Sequence, residues 1–503
     1  MPCAFIYKSS NRRTPMEHER YNNAAFWQIG FFSLNNAATN LYLAMMGYVS
    51  YYANSIAGFG VVLISALLTA LNIFDAVTDP AVGFLLDKTK GRFGKFRPFM
   101  LCGNLIMAVS AILLYFTTHH VSRFLRMPYF ILVYGLFIIG YTFQTVVAKS
   151  GQSILTDNPK QRPISTYFDS LYVMASYGGT AVFVGNYLVP KYGGFTNAAL
   201  FREYVFWVVA LALLCTLLAM AGIASKDTPG QLPAQAAHQN IRVRDYLEIL
   251  RHNKPIRMLI IAACTDKFAA TVYGHTTVIV MLYGILMDNY GISGLIGVVT
   301  AIPTLFVVHA GIRVAQKMGQ KKSLVIFTAL GIFFQAVMAL VLMHKHINTI
   351  SFSPGKINGI TLWFVGVYIL LNGCKSITNN MVIPMIADCS DYERCRSGKF
   401  VPGLMGALFS FVDKVFAALG TGFVGIVMFI IGYNRRLPQI GDEVTPLLKW
   451  AALFLYCGIP IIGWVCSLVS MRYYTLDQKT MSEISQKLHE GHAGRRKRRR
   501  LKR

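Results

Sequence analysis

An all-α membrane protein, with twelve spanning helices in two bundles of six, is the fold class that this chain of 503 residues predicts. Three observations predict it: the composition, the recurrence of long apolar runs, and the placement of the basic residues. Hydrophobic residues make up 54% of the chain and charged residues only 14%, against about 25% charged in a soluble domain. Mean hydropathy is +0.46. Apolar runs of about 20 residues, each long enough to cross a bilayer, lie near 24–53, 59–86, 98–118, 128–150, 166–190, 202–223, 257–288, 292–314, 323–343, 360–387, 403–433 and 447–472. Gly and Pro, 42 and 18 in number, are spread through them, as membrane helices tolerate.

Lys and Arg set the orientation. With the N-terminus in the cytoplasm, the loops and ends on that side hold 35 of the 48 basic residues and the opposite loops hold nine. That asymmetry places both termini in the cytoplasm. Lys149, Lys267, Lys375 and Lys414 fall inside spans. The expected domains are a cytoplasmic segment at 1–23, a six-helix bundle at 24–223, a central loop at 224–256 with a short surface helix at 241–252, a second bundle at 257–472, and a basic tail at 473–503. The basic loop after the second span is echoed by 313–323 after the eighth, as parallel repeats would require.

The formal charge of +26 therefore reflects topology and needs no nucleic acid. Part of it is the tail Arg495-Arg-Lys-Arg-Arg-Arg-Leu-Lys-Arg503, read as a solvated retention signal for the cytoplasmic side, the alternative being contact with anionic lipid or a polyanion. Nine scattered Cys give no disulfide framework. The first 22 residues are polar and the run after them is too long for a signal h-region, so no cleaved signal peptide is expected. His119, His120, His344 and His346 stand at span ends without a Cys or carboxylate cluster, so no metal site is expected at them. No nucleophile triad or phosphate-cradling loop appears, which argues against an enzyme.

The second span carries the most chemistry. Asp75 and Asp79 are four residues apart in an apolar helix and so share a face. Ionised carboxylates inside a membrane are costly and mark ion or substrate paths. A small cation between the two would relieve their repulsion; without it, one holds a proton. Thr78 adds a hydroxyl, and Pro80 cannot donate to the carbonyl of Ala76, which leaves a backbone oxygen beside the pair.

This segment, Asp75-Ala-Val-Thr-Asp-Pro80 followed by Gly83, Asp87 and Gly91-Arg-Phe-Gly-Lys-Phe-Arg-Pro98, closely resembles the glycoside-pentoside-hexuronide:cation symporters of the major facilitator superfamily, typified by the melibiose permease. A second signature, Ala387-Asp-Cys-Ser-Asp-Tyr-Glu393 with Ser397-Gly398, Gly403 and Ser410-Phe-Val-Asp-Lys414, resembles the family's motif across helices ten and eleven. The likeness covers roughly 24–475. It implies the major facilitator fold and symport of a sugar, glycoside or hexuronide with sodium or a proton, by alternating access. It also implies a monomer in the bacterial cytoplasmic membrane, with a small-molecule substrate and no cofactor beyond the coupling ion. The alternative is a carrier of lysolipid or another amphiphile, since lysolipid flippases of the wider superfamily share the helix-two signature.

By this resemblance the cation site falls on Asp75, Thr78, Asp79 and Thr142, the last within the pair Tyr141-Thr142. Lys414 links the two halves, and Asp87, Arg92 and Arg97 belong to a cytoplasmic gating loop that turns at Gly91 and Gly94. The sugar residues depart from the melibiose permease pattern. Asn36 and Thr145 stand where that protein has sugar-binding Asp, Lys149 stands where it has a stacking Trp, and its helix-five Arg has no counterpart. Losing two carboxylates and gaining Lys149, Lys267 and Lys375 suits a carboxylated sugar. Against that, Lys267 pairs with Asp266 or another internal acid, and Lys375 snorkels from the end of its helix. Asn36, Gln144, Thr145, Lys149 and Asn372 are the candidate substrate residues; each neutral one could equally join helices. Lys149 lies two turns beyond Thr142, on the same face.

Overall fold

The computed structural model describes residues 24–88, 93–94, 96–155, 162–227, 251, 253–353, 355, 357–397 and 402–484. The expected segment 1–23, the surface helix at 241–252 apart from residue 251, and the tail beyond 484 lie outside the described residues. The described chain is helical throughout, with turns between the helices. The long helices are α1 (Phe26–Met46), α2 (Val61–Lys88), α3 (Arg97–Thr117), α4 (Arg123–Leu155), α5 (Arg162–Phe183), α6 (Ala198–Ile223), α7 (Lys254–Tyr273), α8 (Ile292–Met318), α9 (Gln320–Met343), α10 (Gly359–Ser397), α11 (Pro402–Ile430) and α12 (Pro446–Tyr473). Eight are long and apolar enough to cross a membrane, and α7 joined to its continuation would make a ninth. α1 misses that measure because Gln28, Asn35, Asn36 and Asn40 dilute its apolar run.

Caps and prolines set several starts. Asn253 accepts from the N–H of Ile256, and Thr445 accepts from that of Leu448. Each satisfies a donor that a first turn leaves open. Pro98, Pro255 and Pro446 occupy first-turn positions, where a missing N–H costs nothing.

The run 24–53 breaks at Gly47 into Phe26–Met46 and a short helix, Val49–Ser55, and the helices differ from the apolar runs in three further places. α4 begins at Arg123 rather than near 128, because Arg126 is held by the carbonyls of Ala57, His119 and Val121. α10 continues through the polar stretch after 387 to Ser397. There Glu393 is 2% exposed and accepts from Asn253 Nδ2 at 2.9 Å and from Arg396. The run 257–288 is not one straight span. It bends by 51° between Tyr273 and Thr276, where Gly274 ends one helix and the His275 side chain caps the next through the N–H of Thr277.

Packing divides the helices into two groups. Within the first, α1 lies against α5 and α6, and α3 against α4; within the second, α7 lies against α11 and α12, and α10 against α8 and α9. The groups meet where α2 crosses α11 and α5 crosses α8. Both crossings need glycine. A Cβ on Gly425 would lie 2.2 Å from Ser65 Oγ, and one on Gly294 would lie 2.6 Å from the Ala181 backbone.

Among the described residues, a set of hydrogen bonds between the groups gathers at one end. Asn54 donates to the Arg435 carbonyl and accepts from the Leu437 N–H, Tyr51 donates to the Pro438 carbonyl, and Thr276 donates to the Gly47 carbonyl. That end is shut. Toward the middle, Thr69 donates to the Ala418 carbonyl at 3.2 Å, and the next polar link along α2 is the site itself.

Candidate functional site

Six residues further along α2, Asp75 faces Lys414 of α11. Lys414 Nζ lies 3.1 Å from Asp75 Oδ2 and donates also to the Asp75 carbonyl at 3.3 Å. The side chains are 19% and 16% exposed, so the pair is mostly dry and strongly interacting. One turn on along α2, Thr78 Oγ1 lies 3.0 Å from the same Asp75 carbonyl and 3.0 Å from Thr142 Oγ1 of α4. Thr142 is fully buried and also reaches the Ile138 carbonyl at 3.0 Å. Two hydroxyl protons thus serve three contacts. A small cation would use the lone pairs that this arrangement leaves over, since hydroxyl and carboxylate oxygens are the ligands hard cations take.

The structure therefore brings together Asp75, Thr78, Thr142 and Lys414. Asp79 lies on the same helix four residues on, but its side chain is outside the described residues, as are those of Pro80, Asp87 and Lys149; Arg92 is outside altogether.

α11 projects a second charge. Asp413 reaches back to α7, where Lys267 Nζ lies 2.9 Å from its Oδ2. Neighbouring residues on a helix point about 100° apart, so Asp413 and Lys414 tie α11 to α7 and α2 respectively. Lys267 thus pairs with an internal acid, Asp413 rather than its neighbour Asp266.

Beside this pair, α7, α10, α11 and α12 enclose a cavity of about 560 Å³ whose walls include Asp266, Tyr273, Asn372, Lys375, Asp413 and Trp464. Small-molecule sites commonly have that size and that mixture of aromatic and polar groups. Lys375 does not snorkel. α10 is longer than its apolar run, which leaves Lys375 near mid-helix, and its ammonium sits 3.7 Å above the Tyr273 ring and 5.8 Å from Trp464. Cation–π contact compensates part of its lost hydration. Sequence reasoning missed both aromatics, which stand on other helices far along the chain on either side.

The expected substrate residues separate. Asn372 lines the cavity and donates to the Tyr368 carbonyl. Asn36 accepts from Asn40 Nδ2 at 3.0 Å on its own helix, and Thr145 donates to the Thr142 carbonyl. Gln144 is fully buried, and its Nε2 donates to the Met100 carbonyl at 2.6 Å, joining α4 to α3.

At the start of α3, Arg97 is held by Asp227, past the end of α6. Asp227 Oδ2 accepts from the N–H groups of Phe96 and Arg97 at 3.0 Å each, and the Arg97 guanidinium reaches the Asp227 carbonyl at 3.2 Å. A carboxylate at a helix N-terminus is favourable. Gly94 makes the approach possible: its φ is +88°, and a Cβ there would lie 2.2 Å from Asp227 Oδ2. The reading of the loop named Gly94 and Arg97 but missed Asp227.

With this geometry in hand, the likeness to known proteins is specific. The family model for MFS/sugar transport proteins matches residues 30–478. The chain is 24% identical to the uncharacterized symporter YnaJ of Bacillus subtilis (strain 168), over 92% of this chain and 94% of that protein. It is 22% identical to the glucuronide carrier protein homolog of Escherichia coli (strain K12), over 90% and 93% of the two chains. Among solved structures, the nucleoside transporter NupG superposes with a TM-score of 0.59 at 10% identity, covering 90% of this chain and all of that one; at that identity it shows the fold alone.

Proposed function

Since the chain belongs to the MFS/sugar transport protein family and is a multi-pass integral membrane transporter, we propose that it couples the entry of a cation to uptake of a sugar, glycoside or hexuronide. The observation that carries this reading is the ion pair between Asp75 and Lys414 across the two helix groups, backed by the touching hydroxyls of Thr78 and Thr142. A cation at Asp75, Thr78, Thr142 and Asp79 would compete with Lys414 for the Asp75 carboxylate. Its arrival weakens the bond that joins α2 to α11 and so biases the way the groups sit. The ion, sodium or proton, is thereby linked to substrate binding through the shared strut α11, whose Asp413 borders the cavity.

In this reading twelve spans cross the bacterial cytoplasmic membrane with both termini inside, and the protein works as a monomer without catalytic chemistry. The shut end, with its Asn54, Tyr51 and Thr276 bonds, is then the outer one, so the structure is closed to the outside. The cavity beside Lys375 and Trp464 takes the substrate: the indole offers a platform for a sugar ring, and the ammonium a partner for a carboxylate. Relatives named as a glucuronide carrier homolog and an isoprimeverose transporter support both neutral and acidic sugars as substrates.

Thermal unfolding of the purified protein against a panel of sugars, uronates and lysolipids tests the substrate class. Stabilisation by one sugar or uronate, with uptake of the radiolabelled compound into proteoliposomes, is the expected result. Stabilisation and transport of lysolipid alone would overturn the reading.

A further inference from the structure

The second helix group holds a carboxyl that the coupling scheme does not use. Asp266 lies well inside α7 and on the wall of the cavity. Its Oδ2 accepts from Ser467 Oγ of α12 at 3.4 Å, a long contact, and its Oδ1 is buried without a hydrogen-bond partner. The charges around it are committed elsewhere. On α7 itself, Lys267 is bound to Asp413 of α11 at 2.9 Å. Lys375 of α10 lies on the rings of Tyr273 and Trp464, and among the described residues no carboxylate pairs with it. Cys264 and Tyr273, other titratable groups of α7 on the cavity wall, make no hydrogen bond to Asp266.

An ionised carboxylate with one oxygen buried and unpartnered, and only one weak hydrogen bond on the other, is disfavoured by far more than a neutral acid. Protonation removes the charge and turns the unpartnered oxygen into a donor that can face the cavity. We propose that Asp266 is a proton-binding site, distinct from the Asp75–Lys414 pair and separated from it by the Lys267–Asp413 bridge. The proton rides on Asp266 while Lys375 stays on its aromatic rings. It leaves when the cavity hydrates or when the Lys375 ammonium moves to the carboxylate, so this half of the molecule titrates on its own. The purpose of the site rests on the transport reading, but its existence does not.

Infrared difference spectra of the full-length protein, taken near neutral pH without substrate or gradient, test it. The expected result is a protonated-carboxyl C=O band that shifts in D2O, disappears as pH rises, is absent from Asp266→Asn and persists in Asp75→Asn. A second variant guards against misfolding of the first: Ser467→Ala removes the one hydroxyl that favours the ionised form, so the band should persist to higher pH than in the wild type. Persistence of every carboxyl band in Asp266→Asn, or an unmoved titration in Ser467→Ala, would overturn the assignment. Neither outcome bears on whether sugar is carried.

Discussion

Replacing Lys414 by alanine removes the ammonium that stands 3.1 Å from Asp75 Oδ2 and 3.3 Å from the Asp75 carbonyl. At that separation a unit-charge pair is worth about 5 kcal/mol at an effective dielectric constant of about 20. The side chains keep 19% and 16% exposure, so solvent screens part of this. Loss of one partner from a buried pair costs about 3–5 kcal/mol, chiefly because the other charge is stranded; for this mostly buried pair, with some solvent access left, we expect about 3 kcal/mol. The readout is thermal unfolding of the purified protein followed by intrinsic fluorescence, where that loss lowers the midpoint by several degrees. The decisive comparison is the double variant. Asp75→Asn with Lys414→Gln replaces the ion pair by two neutral amides and should recover most of the stability that Lys414→Ala loses. A cation should also stabilise Lys414→Ala more than the wild type, because it fills the place of the missing ammonium. If the double variant is no more stable than Lys414→Ala, and added cation makes no difference, the pair is not the strut described here.

Thr142→Val keeps the shape of a buried side chain but removes the hydroxyl that meets Thr78; apparent affinity for the coupling cation, read from the cation dependence of uptake, should fall about tenfold, the loss of one hydrogen-bond-sized interaction. Lys375→Gln should weaken binding of uronates by about 1.5–3 kcal/mol and leave neutral glycosides nearly unaffected, with calorimetric titration of both as the check; equal losses would make Lys375 a packing residue. Gly94→Ala forces a Cβ onto Asp227 at a φ of +88° and should lower stability by about 1–3 kcal/mol, measured by the same unfolding assay.

How much was legible in the sequence varies by residue for physical reasons. Asp75 and Lys414 stood out because a charge in an apolar helix has few neutral explanations, and the structure places them together. Gln144 and Asn36 carried no such signal: a polar side chain in a span satisfies a neighbouring backbone as readily as a ligand, and Gln144 does so on Met100. Asp227 was missed because it sits in a polar turn, where carboxylates are common and only the fold reveals that it caps α3. The cage of Tyr273 and Trp464 about Lys375 joins three helices, and aromatic residues are too frequent in spans to mark a site. The bend after Tyr273 was hidden because hydrophobicity continues across it, although Gly274-His275 is a stop followed by a cap.

In the proposed coupling, cation entry at Asp75 drives accumulation of substrate. Radiolabelled substrate uptake into proteoliposomes, with an inward sodium or proton gradient imposed or dissipated by ionophore, tests it most directly when the wild type is run beside Asp75→Asn and Asp79→Asn. Wild-type vesicles should concentrate substrate only while one of the two gradients stands. Each variant should fail to concentrate it yet still exchange labelled for unlabelled substrate. Concentrative uptake by the doubly substituted protein, or by the wild type with both gradients collapsed, would contradict the account.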